Sequence, residues 1–285
     1  MSNSAWAALV RAALVLAVAA VATVNADTLG PAQTLYLGGS SGSGSALFTV
    51  QGNTLNLVNS AYGYEWGVVA STDKGVQTYA ASATVQNGLS GQYTLGPTPT
   101  PTHVTYTNTI PPTTTYNETD DGTTDGKYNY IWSIHNGAAY RLSRDMTDPV
   151  LLFSYGDTDQ FAGITYDVTN NSLWLSGWGS QKIVDVRFDG TLISSFDTGH
   201  MRNGSLALDS AGTLWLNNDL TQTLEGWSKS GTLLHEHYLG YYTIGGEFAF
   251  DPATNPSSTP LPPTALAALT LLPCLALRRR VSTSM

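Results

Sequence analysis

Ile164-Thr165-Tyr166-Asp167 recurs in this chain as Leu206-Ala207-Leu208-Asp209 and again as Phe248-Ala249-Phe250-Asp251. Each copy has two apolar residues, one residue apart, followed by an aspartate, and the aspartates lie 42 residues apart. Asp125 continues the series one period earlier. A constant period of this length indicates an architecture of stacked, similar units.

Two other landmarks follow nearly the same period. Trp132, Trp174 and Trp215 each stand within an apolar run, at spacings of 42 and 41 residues, and a Gly-Thr-Leu triplet recurs at 190–192 and 231–233. Between the landmarks, apolar and polar residues alternate over short runs that Asp, Asn, Gly and Ser separate, the pattern of short strands and tight turns. About four strands in 40 to 45 residues make one propeller blade, so we predict an all-β propeller.

The repeat resembles those of NHL-type and gluconolactonase-like propellers. The likeness rests on the apolar-x-apolar-Asp first strand and the Gly-Thr-Leu hairpin, and it covers residues 121–251. The Gly-His and Trp-Asp pairs of WD-repeat blades are missing. The resemblance implies a scaffold that carries both binding proteins and metal-dependent hydrolases, so it does not by itself select a function.

The predicted propeller domain spans residues 27–251, and its blades are expected to begin near Gly67, Gly122, Gly163 and Gly204. The strand at 248–250 starts a unit that strands within 34–58 are expected to complete, which would close the ring without open edges. We predict five blades, with six as the alternative. The Thr- and Pro-rich stretch 97–124 is predicted to be a surface insert.

Composition excludes several classes of function. The 285 residues hold 12 Lys and Arg against 21 Asp and Glu, for a net charge of −9, so no basic surface is available to bind nucleic acid. The single cysteine, Cys274, lies near the C-terminus, which excludes a disulfide framework and thiol chemistry in the body.

The N-terminus has the features of a secretory signal peptide over residues 1–26. Arg11 precedes an apolar run from Ala12 to Ala22, and the small-residue triplet 24–26 provides a cleavage site. The run is too short to span a membrane. We therefore expect the body of the protein to be exported.

The C-terminus is organised as a Pro/Ser/Thr linker at 252–263 and a hydrophobic segment at 264–285 that carries an arginine cluster at 278–280. Thr259-Pro260-Leu261-Pro262-Pro263, the apolar run and the arginines resemble the VPLPA-type variant of the PEP-CTERM sorting signals of Gram-negative bacteria. The resemblance implies an exosortase-type sorting protease as a partner, and delivery to the cell surface or the extracellular matrix. A retained membrane anchor is the alternative.

Candidate site residues lie in the loops that precede each first strand or follow each second strand, because these loops meet at one end of a propeller channel. Polar and aromatic side chains there suit a bound sugar or protein; the ligand-binding candidates are Glu65, Trp66, His135, Asn136, Trp178 and Arg202. Carboxylate and amide oxygens suit Ca²⁺; the candidate ligands are Glu65, Asn217, Asp219 and Glu247.

Two functions remain open. The chain has no G-x-S-x-G, H-E-x-x-H or phosphate-binding glycine motif, which favours a non-catalytic surface or matrix protein that binds polysaccharide or an envelope protein. No catalytic residue is predicted. The alternative is a Ca²⁺-dependent hydrolase or lactonase of the gluconolactonase-like type.

Overall fold

The computed structural model describes residues 32–39, 45–61, 67–71, 75–80, 89–93, 119–134, 136–155 and 160–250. The predicted signal peptide, linker and C-terminal segment lie outside these residues, as do 94–118 of the predicted insert. Within the described ranges, no helix has the length and apolar character needed to cross a membrane.

The described residues form nineteen antiparallel β-strands in five sheets. One sheet has the order β19-β1-β2-β3; its strands are β1 (Gln33–Gly39), β2 (Ser45–Gln51), β3 (Thr54–Ala61) and β19 (Thr243–Phe248). A three-stranded sheet contains β4 (Gly67–Ser71), β5 (Gly75–Ala80) and β6 (Leu89–Tyr93).

The other three sheets are four-stranded and follow chain order. They comprise β7 (Thr119–Thr124), β8 (Asn129–Ser133), β9 (Ala138–Leu142) and β10 (Val150–Ser154); β11 (Phe161–Asp167), β12 (Ser172–Gly177), β13 (Lys182–Val186) and β14 (Leu192–Asp197); and β15 (Asn203–Leu208), β16 (Thr213–Asn218), β17 (Thr223–Ser228) and β18 (Leu233–Tyr238).

The predicted propeller is confirmed, but its blade count is corrected. Four complete four-stranded blades occur in the described residues, where five or six were expected, and β4–β6 form a sheet of only three strands. The repeated sequence landmarks lie in the second half of the chain. The unit that begins at Gly67 has no such internal match, so its strands could not be counted from the sequence.

The periodic landmarks occupy equivalent places in successive blades. β11 and β15 are innermost strands, and the tryptophans Trp132, Trp174 and Trp215 lie in the second strands with at most 1 % of their surface exposed. Trp174 packs against Leu206, Leu214 and other residues of the next blade. Apolar residues on both faces of a strand are therefore buried between blades, which a single repeat could not achieve.

Three of the recurring aspartates, Asp125, Asp167 and Asp209, organise the turn after a first strand, as the sequence predicts, and Asp251 lies outside the described residues. Asp209 accepts hydrogen bonds through Oδ1 from the amides of Ala211 and Thr213, at 2.9 and 2.7 Å. Its Oδ2 accepts a 3.0 Å hydrogen bond from the Trp215 indole, and Asp167 bonds Trp174 in the same way at 3.1 Å. Asp167 and Asp209 thus each join a turn to the core tryptophan of their own blade, whereas Asp125 accepts from the Tyr130 hydroxyl.

Strands from the two ends of the domain share one sheet. β1 pairs with β19, with Leu35 opposite Phe248 and Leu37 opposite Gly246, and β2 and β3 continue the same sheet. The pairing predicted between the strand near 248 and the segment 34–58 is therefore present.

Part of the predicted insert belongs to the core. Thr119–Thr124, the last residues of the stretch 97–124, form the innermost strand β7, and all six are buried. Their Thr- and Asp-rich composition suggested an exposed loop. Asp121 and Thr123 are instead accommodated because they bond backbone amides of neighbouring strands.

Asp121, on β7, makes the largest number of these bonds. Its Oδ2 accepts from the amides of Ile164 and Leu206, both at 3.0 Å, and its Oδ1 accepts from Gly246 at 2.8 Å. The three donors lie on β11, β15 and β19, the innermost strands of three other blades. We call Asp121 the channel carboxylate, since it joins four blades at their inner strands.

We predict that Asp121→Ala lowers the free energy of unfolding by about 3 kcal/mol or more, because it leaves three buried amides without an acceptor at about 1–3 kcal/mol each. Urea denaturation measures the change. Asp197→Ala, at an exposed position of β14, is the control and should stay within about 0.5 kcal/mol of the wild type. A loss below about 1 kcal/mol in Asp121→Ala would contradict the role given to this carboxylate.

Candidate functional site

Three predicted site residues meet at one end of the channel through their backbones. Trp178 follows β12, Arg202 precedes β15 and Asp219 follows β16. The Arg202 amide donates to the Trp178 carbonyl at 2.8 Å, and the Asp219 amide donates to the Arg202 carbonyl at 3.0 Å. The expected convergence of loops before first strands and after second strands is realised across these two blades.

Arg202 has an unusual backbone conformation. Its φ is 63°, in the left-handed region that non-glycine residues rarely adopt. The two backbone bonds hold it there, and its guanidinium carbon lies 5.9 Å from the centre of the Trp178 ring. Such strain persists only where the surroundings enforce it, and it is concentrated at functional sites.

Asn217 and Asp219 form the buried side of this end. The Asn217 side-chain amide donates to Asp219 Oδ1 at 2.9 Å and to the Thr243 carbonyl at 3.2 Å, while Asn217 Oδ1 is buried without a hydrogen-bond partner. Burial raises the pKa of Asp219 to about 6, although the charge of Arg202 and the bond from Asn217 oppose the rise. We call Trp178, Arg202, Asn217 and Asp219 the channel mouth.

Glu225 supports the channel mouth but was not among the residues predicted from the sequence. Its Oε2 bonds His200 Nε2 at 2.9 Å and the Trp227 indole at 2.8 Å, and its Oε1 accepts from Asn218 at 3.0 Å. Burial alone would raise its pKa, but these bonds outweigh burial and the pKa lies below the usual value. The alternation of residues along β17 gave no signal, because Glu225 reads as an ordinary polar strand position.

The bond to His200 restrains the loop that carries Arg202. His200 lies two residues before Arg202, and its carbonyl and that of Gln181 both accept from the Thr198 hydroxyl, at 2.9 and 3.1 Å. The loop is thus attached to two blades. This attachment positions the guanidinium over Trp178.

The remaining ligand-binding candidates are not part of this group. Glu65, Trp66 and His135 lie outside the described residues. Asn136 lies in the turn between β8 and β9, where its side chain bonds the Tyr140 hydroxyl of its own blade. Its role in binding stays a prediction.

The candidate Ca²⁺ ligands are divided between two places. Asn217 contacts Thr243, whereas Glu247 lies four residues further along β19, a distance of about 13 Å in an extended strand. Glu247 faces the hydroxyls of Thr123 and Thr165 inside the channel, and both hydroxyls lower its pKa. Among the described residues, no group of three or more His, Cys, Asp or Glu is arranged to hold a metal ion. The four-ligand set stays a prediction, since Glu65 is not described.

Two buried acids lie near each other in the channel. Burial raises the pKa of Glu247 to about 8, against the opposing effect of the nearby Thr123 and Thr165 hydroxyls and of the bond from the Phe248 amide. Burial also raises the pKa of Asp121, and the negative charge of Glu247 adds to that rise, while the three amides lower it. Because only Asp121 has three amide donors, we assign the proton to Glu247 and the charge to Asp121.

The polar groups at the mouth can bind an uncharged, hydroxyl-rich ligand. Trp178 provides an apolar ring, Arg202 provides hydrogen-bond donors and Asp219 provides a carboxyl, while the side chain of Asn217 is fully buried. The arrangement is thus chemically suited to binding.

Comparisons with known proteins support the fold. No protein-family model matches the chain, and no curated protein sequence matches it. A chain in the crystal structure of a nidogen/laminin complex is similar at 12 % identity and a TM-score of 0.52, over 77 % of this chain and 99 % of that one.

Two enzymes are more distant neighbours. Virginiamycin B lyase from Staphylococcus aureus has 11 % identity and a TM-score of 0.41, over 71 % of this chain and 69 % of that one. Glutaminyl cyclase from Myxococcus xanthus has 15 % identity and a TM-score of 0.41, over 65 % and 70 %. At 12 % identity, the similarity to the nidogen/laminin chain concerns the fold alone.

We predict that Glu247 makes the protein less stable as the pH rises. Between about pH 4.5 and 8 the unfolded carboxyl is ionised while the folded one keeps its proton, so the free energy of unfolding should fall across this window and level off above it. Urea denaturation at several pH values measures the slope. Glu247→Gln should reduce it, and Glu236→Gln, at an exposed position of β18, should not. Equal slopes in all three proteins would contradict a protonated Glu247.

Proposed function

We propose that this protein is an exported, non-catalytic propeller that binds a neutral polysaccharide at the channel mouth. The observation that carries the proposal is the strained backbone of Arg202, which bonds Trp178 on one side and Asp219 on the other. These bonds gather an aromatic ring, a guanidinium and a carboxyl at one place. The same three positions were selected from the sequence alone.

The chemistry of the mouth supports a sugar as the ligand. A sugar ring presents C–H groups on its faces and hydroxyls at its edge, so it suits an aromatic ring bordered by hydrogen-bonding groups. Trp178 is half-buried against the core, which limits the side-chain entropy that binding must remove. Arg202 is exposed and able to donate to ligand hydroxyls.

The charge of the protein favours a neutral polysaccharide over an acidic one. The net charge of −9 repels polyanions, and the one cation of the mouth, Arg202, lies close enough to Asp219 to lower its pKa. The mouth therefore presents little net positive charge. An uncharged chain meets neither repulsion nor an unpaired charge.

The second candidate function, a Ca²⁺-dependent hydrolase or lactonase, is favoured by one observation. Asn217 Oδ1 is buried without a partner next to the carboxylate of Asp219, and both are oxygen ligands of the type that Ca²⁺ prefers. Two such ligands are fewer than Ca²⁺ requires, and Arg202 adds a nearby positive charge. We therefore favour binding over catalysis.

We also propose that the three-stranded sheet is a fifth blade of one ring. β4 contacts β7 on one side and β19 on the other, and β7, β11, β15 and β19 contact one another in that order. These contacts are those expected if five innermost strands surround one channel. A ring of this kind would protect the inner edges of the sheets from pairing with other chains.

Export underlies this proposal, and it is tested by the location of the body. The N-terminal segment 1–26 and the basic C-terminal cluster 278–280 predict that residues 27–251 lie outside the cytoplasmic membrane. Protease added to cells with a permeabilised outer membrane should degrade the body while cytoplasmic markers survive. Survival of the body together with those markers would contradict export.

For sugar binding, we predict that Trp178→Ala weakens binding to the neutral exopolysaccharide of the producing bacterium by about 2 kcal/mol, or about thirtyfold in Kd, because it removes the central aromatic contact. Isothermal titration with the purified body measures the change. Tyr238→Ala, which removes an aromatic side chain that is 77 % exposed on β18, is the matched control and should bind normally.

The dependence on calcium distinguishes the two candidate functions in the same protein preparation. For a polysaccharide-binding protein, a chelator should leave both Kd and Tm unchanged. Chelator-sensitive lactone hydrolysis, lost in Asp219→Asn, would favour the enzyme. Equal affinity of Trp178→Ala and the wild type would contradict binding at the channel mouth.

A further inference from the structure

The channel has a second polar feature at the end opposite the mouth. A cavity of about 110 Å³ lies where the first strands end, between the turn at 209–212 and the residues that follow β19. Its lining includes Glu247, Thr123, Tyr166, Phe248, Phe250 and Lys229. We call this space the exit cavity. None of the channel-mouth residues lines it.

Glu247 has an unused hydrogen-bonding atom. Its Oε1 accepts a 2.9 Å hydrogen bond from the Phe248 amide, but its Oε2 is buried without a hydrogen-bond partner, and only 5 % of the residue is exposed. A buried carboxyl oxygen without a protein partner is costly, so such atoms are usually satisfied by water, a ligand or an ion. When Glu247 is ionised, the partner that Oε2 requires is a hydrogen-bond donor.

The other charged side chains of the cavity are already paired. Lys229 Nζ lies 2.6 Å from Asp167 Oδ2, so its charge is matched outside the cavity. Asp209 accepts from two turn amides and the Trp215 indole. Among the groups lining the cavity, Glu247 therefore has the greatest unmet capacity to bind a positive charge.

Aromatic residues form part of the remaining wall. Tyr166, Phe248 and Phe250 line the cavity together with the carboxyl. Aromatic faces attract organic cations, and the attraction is strongest where water is excluded. A small volume, one carboxyl and aromatic walls match the shape and charge of an alkylammonium group.

We propose that the exit cavity binds the primary ammonium group of a small amine, with Glu247 as the counter-charge and with Tyr166 and Phe250 against the alkyl chain. The ammonium donates a hydrogen bond to Glu247 Oε2, and its positive charge balances the negative charge of the ionised carboxylate. This site is separate from the proposed sugar site at the channel mouth, and neither depends on the other.

The proposal predicts a specific dependence on pH. An ammonium ion binds ionised Glu247, whose pKa in the empty protein is raised to about 8, and an alkylamine stays charged at pH 7 and at pH 9 as lysine does. Affinity should therefore be about tenfold higher at pH 9 than at pH 7.

The other titratable groups around Glu247 either disfavour its ionisation or leave its ionisation unchanged. Asp121 faces it from β7, and its charge makes ionisation of Glu247 harder. Lys229 is paired with Asp167, and Asp209 with its own turn and Trp215. Burial raises the pKa of Tyr166 to about 12, so this side chain stays neutral throughout.

The test uses n-butylammonium as the probe and 1-butanol, which has nearly the same shape without the charge, as its neutral match. Isothermal titration and thermal shift of the purified protein should show saturable binding of butylammonium, at least tenfold tighter than that of butanol, and tighter at pH 9. Glu247→Gln, which keeps the size of the side chain, should abolish the difference between the two compounds.

Two further variants keep the result interpretable. Phe250→Leu should weaken butylammonium several-fold while Glu247 stays in place, and Trp178→Ala at the channel mouth should leave it unchanged. Equal affinity for the two compounds, unchanged binding in Glu247→Gln, or no saturable binding to the folded wild type would each overturn the proposal. Tighter binding of Nα-acetyl-lysine amide than of butylammonium would overturn the assignment to a small amine in favour of a lysine side chain.

Discussion

The architecture depends on one buried carboxylate at the centre of the channel. Asp121 accepts from Ile164, Leu206 and Gly246, so a single side chain supplies acceptors to the inner strands of three other blades. Inner strands of a propeller have few backbone partners on the channel side, and a buried amide without an acceptor is costly. The carboxylate satisfies three such amides at once, and it thereby sets the distance between blades.

That close approach restricts the residues around it. A Cβ added at Gly163 would lie 2.2 Å from Ser176 Oγ and 2.8 Å from the Leu206 amide nitrogen, and one added at Gly204 would lie 2.5 Å from the Thr243 carbonyl oxygen. All three contacts are too short for real side chains. The glycines near the start of these two blades are therefore explained by packing at the channel. The same confinement buries Glu247 beside Asp121 and favours its protonated form.

The two ends of the channel differ chemically for reasons of topology. Antiparallel strands place the loops before first strands and after second strands at the mouth, where Arg202 and Trp178 meet with a buried amide and carboxyl. The opposite end collects the turns after first strands, and aspartates such as Asp209 are used there to fix the turns. At the mouth, hydrogen-bonding groups remain available to a ligand. In the exit cavity, the turn aspartates are already bonded, and Glu247 is the carboxyl that remains available.

The sequence alone determined the propeller, its period, the roles of the recurring Asp and Trp residues and the sharing of a sheet by β1 and β19, because each is a local pattern of alternation and turn residues repeated at a constant spacing. It also placed Trp178 and Arg202 at one end. Only the tertiary structure decided which polar residues are buried together. Asp121 and Thr123 read as part of a loop, since the amides that bond them come from strands distant in the chain. Glu225 reads as an ordinary strand residue, since its bond to His200 comes from a loop 25 residues away. Alternation indicates the face on which a side chain lies, but its partner depends on how separate blades pack.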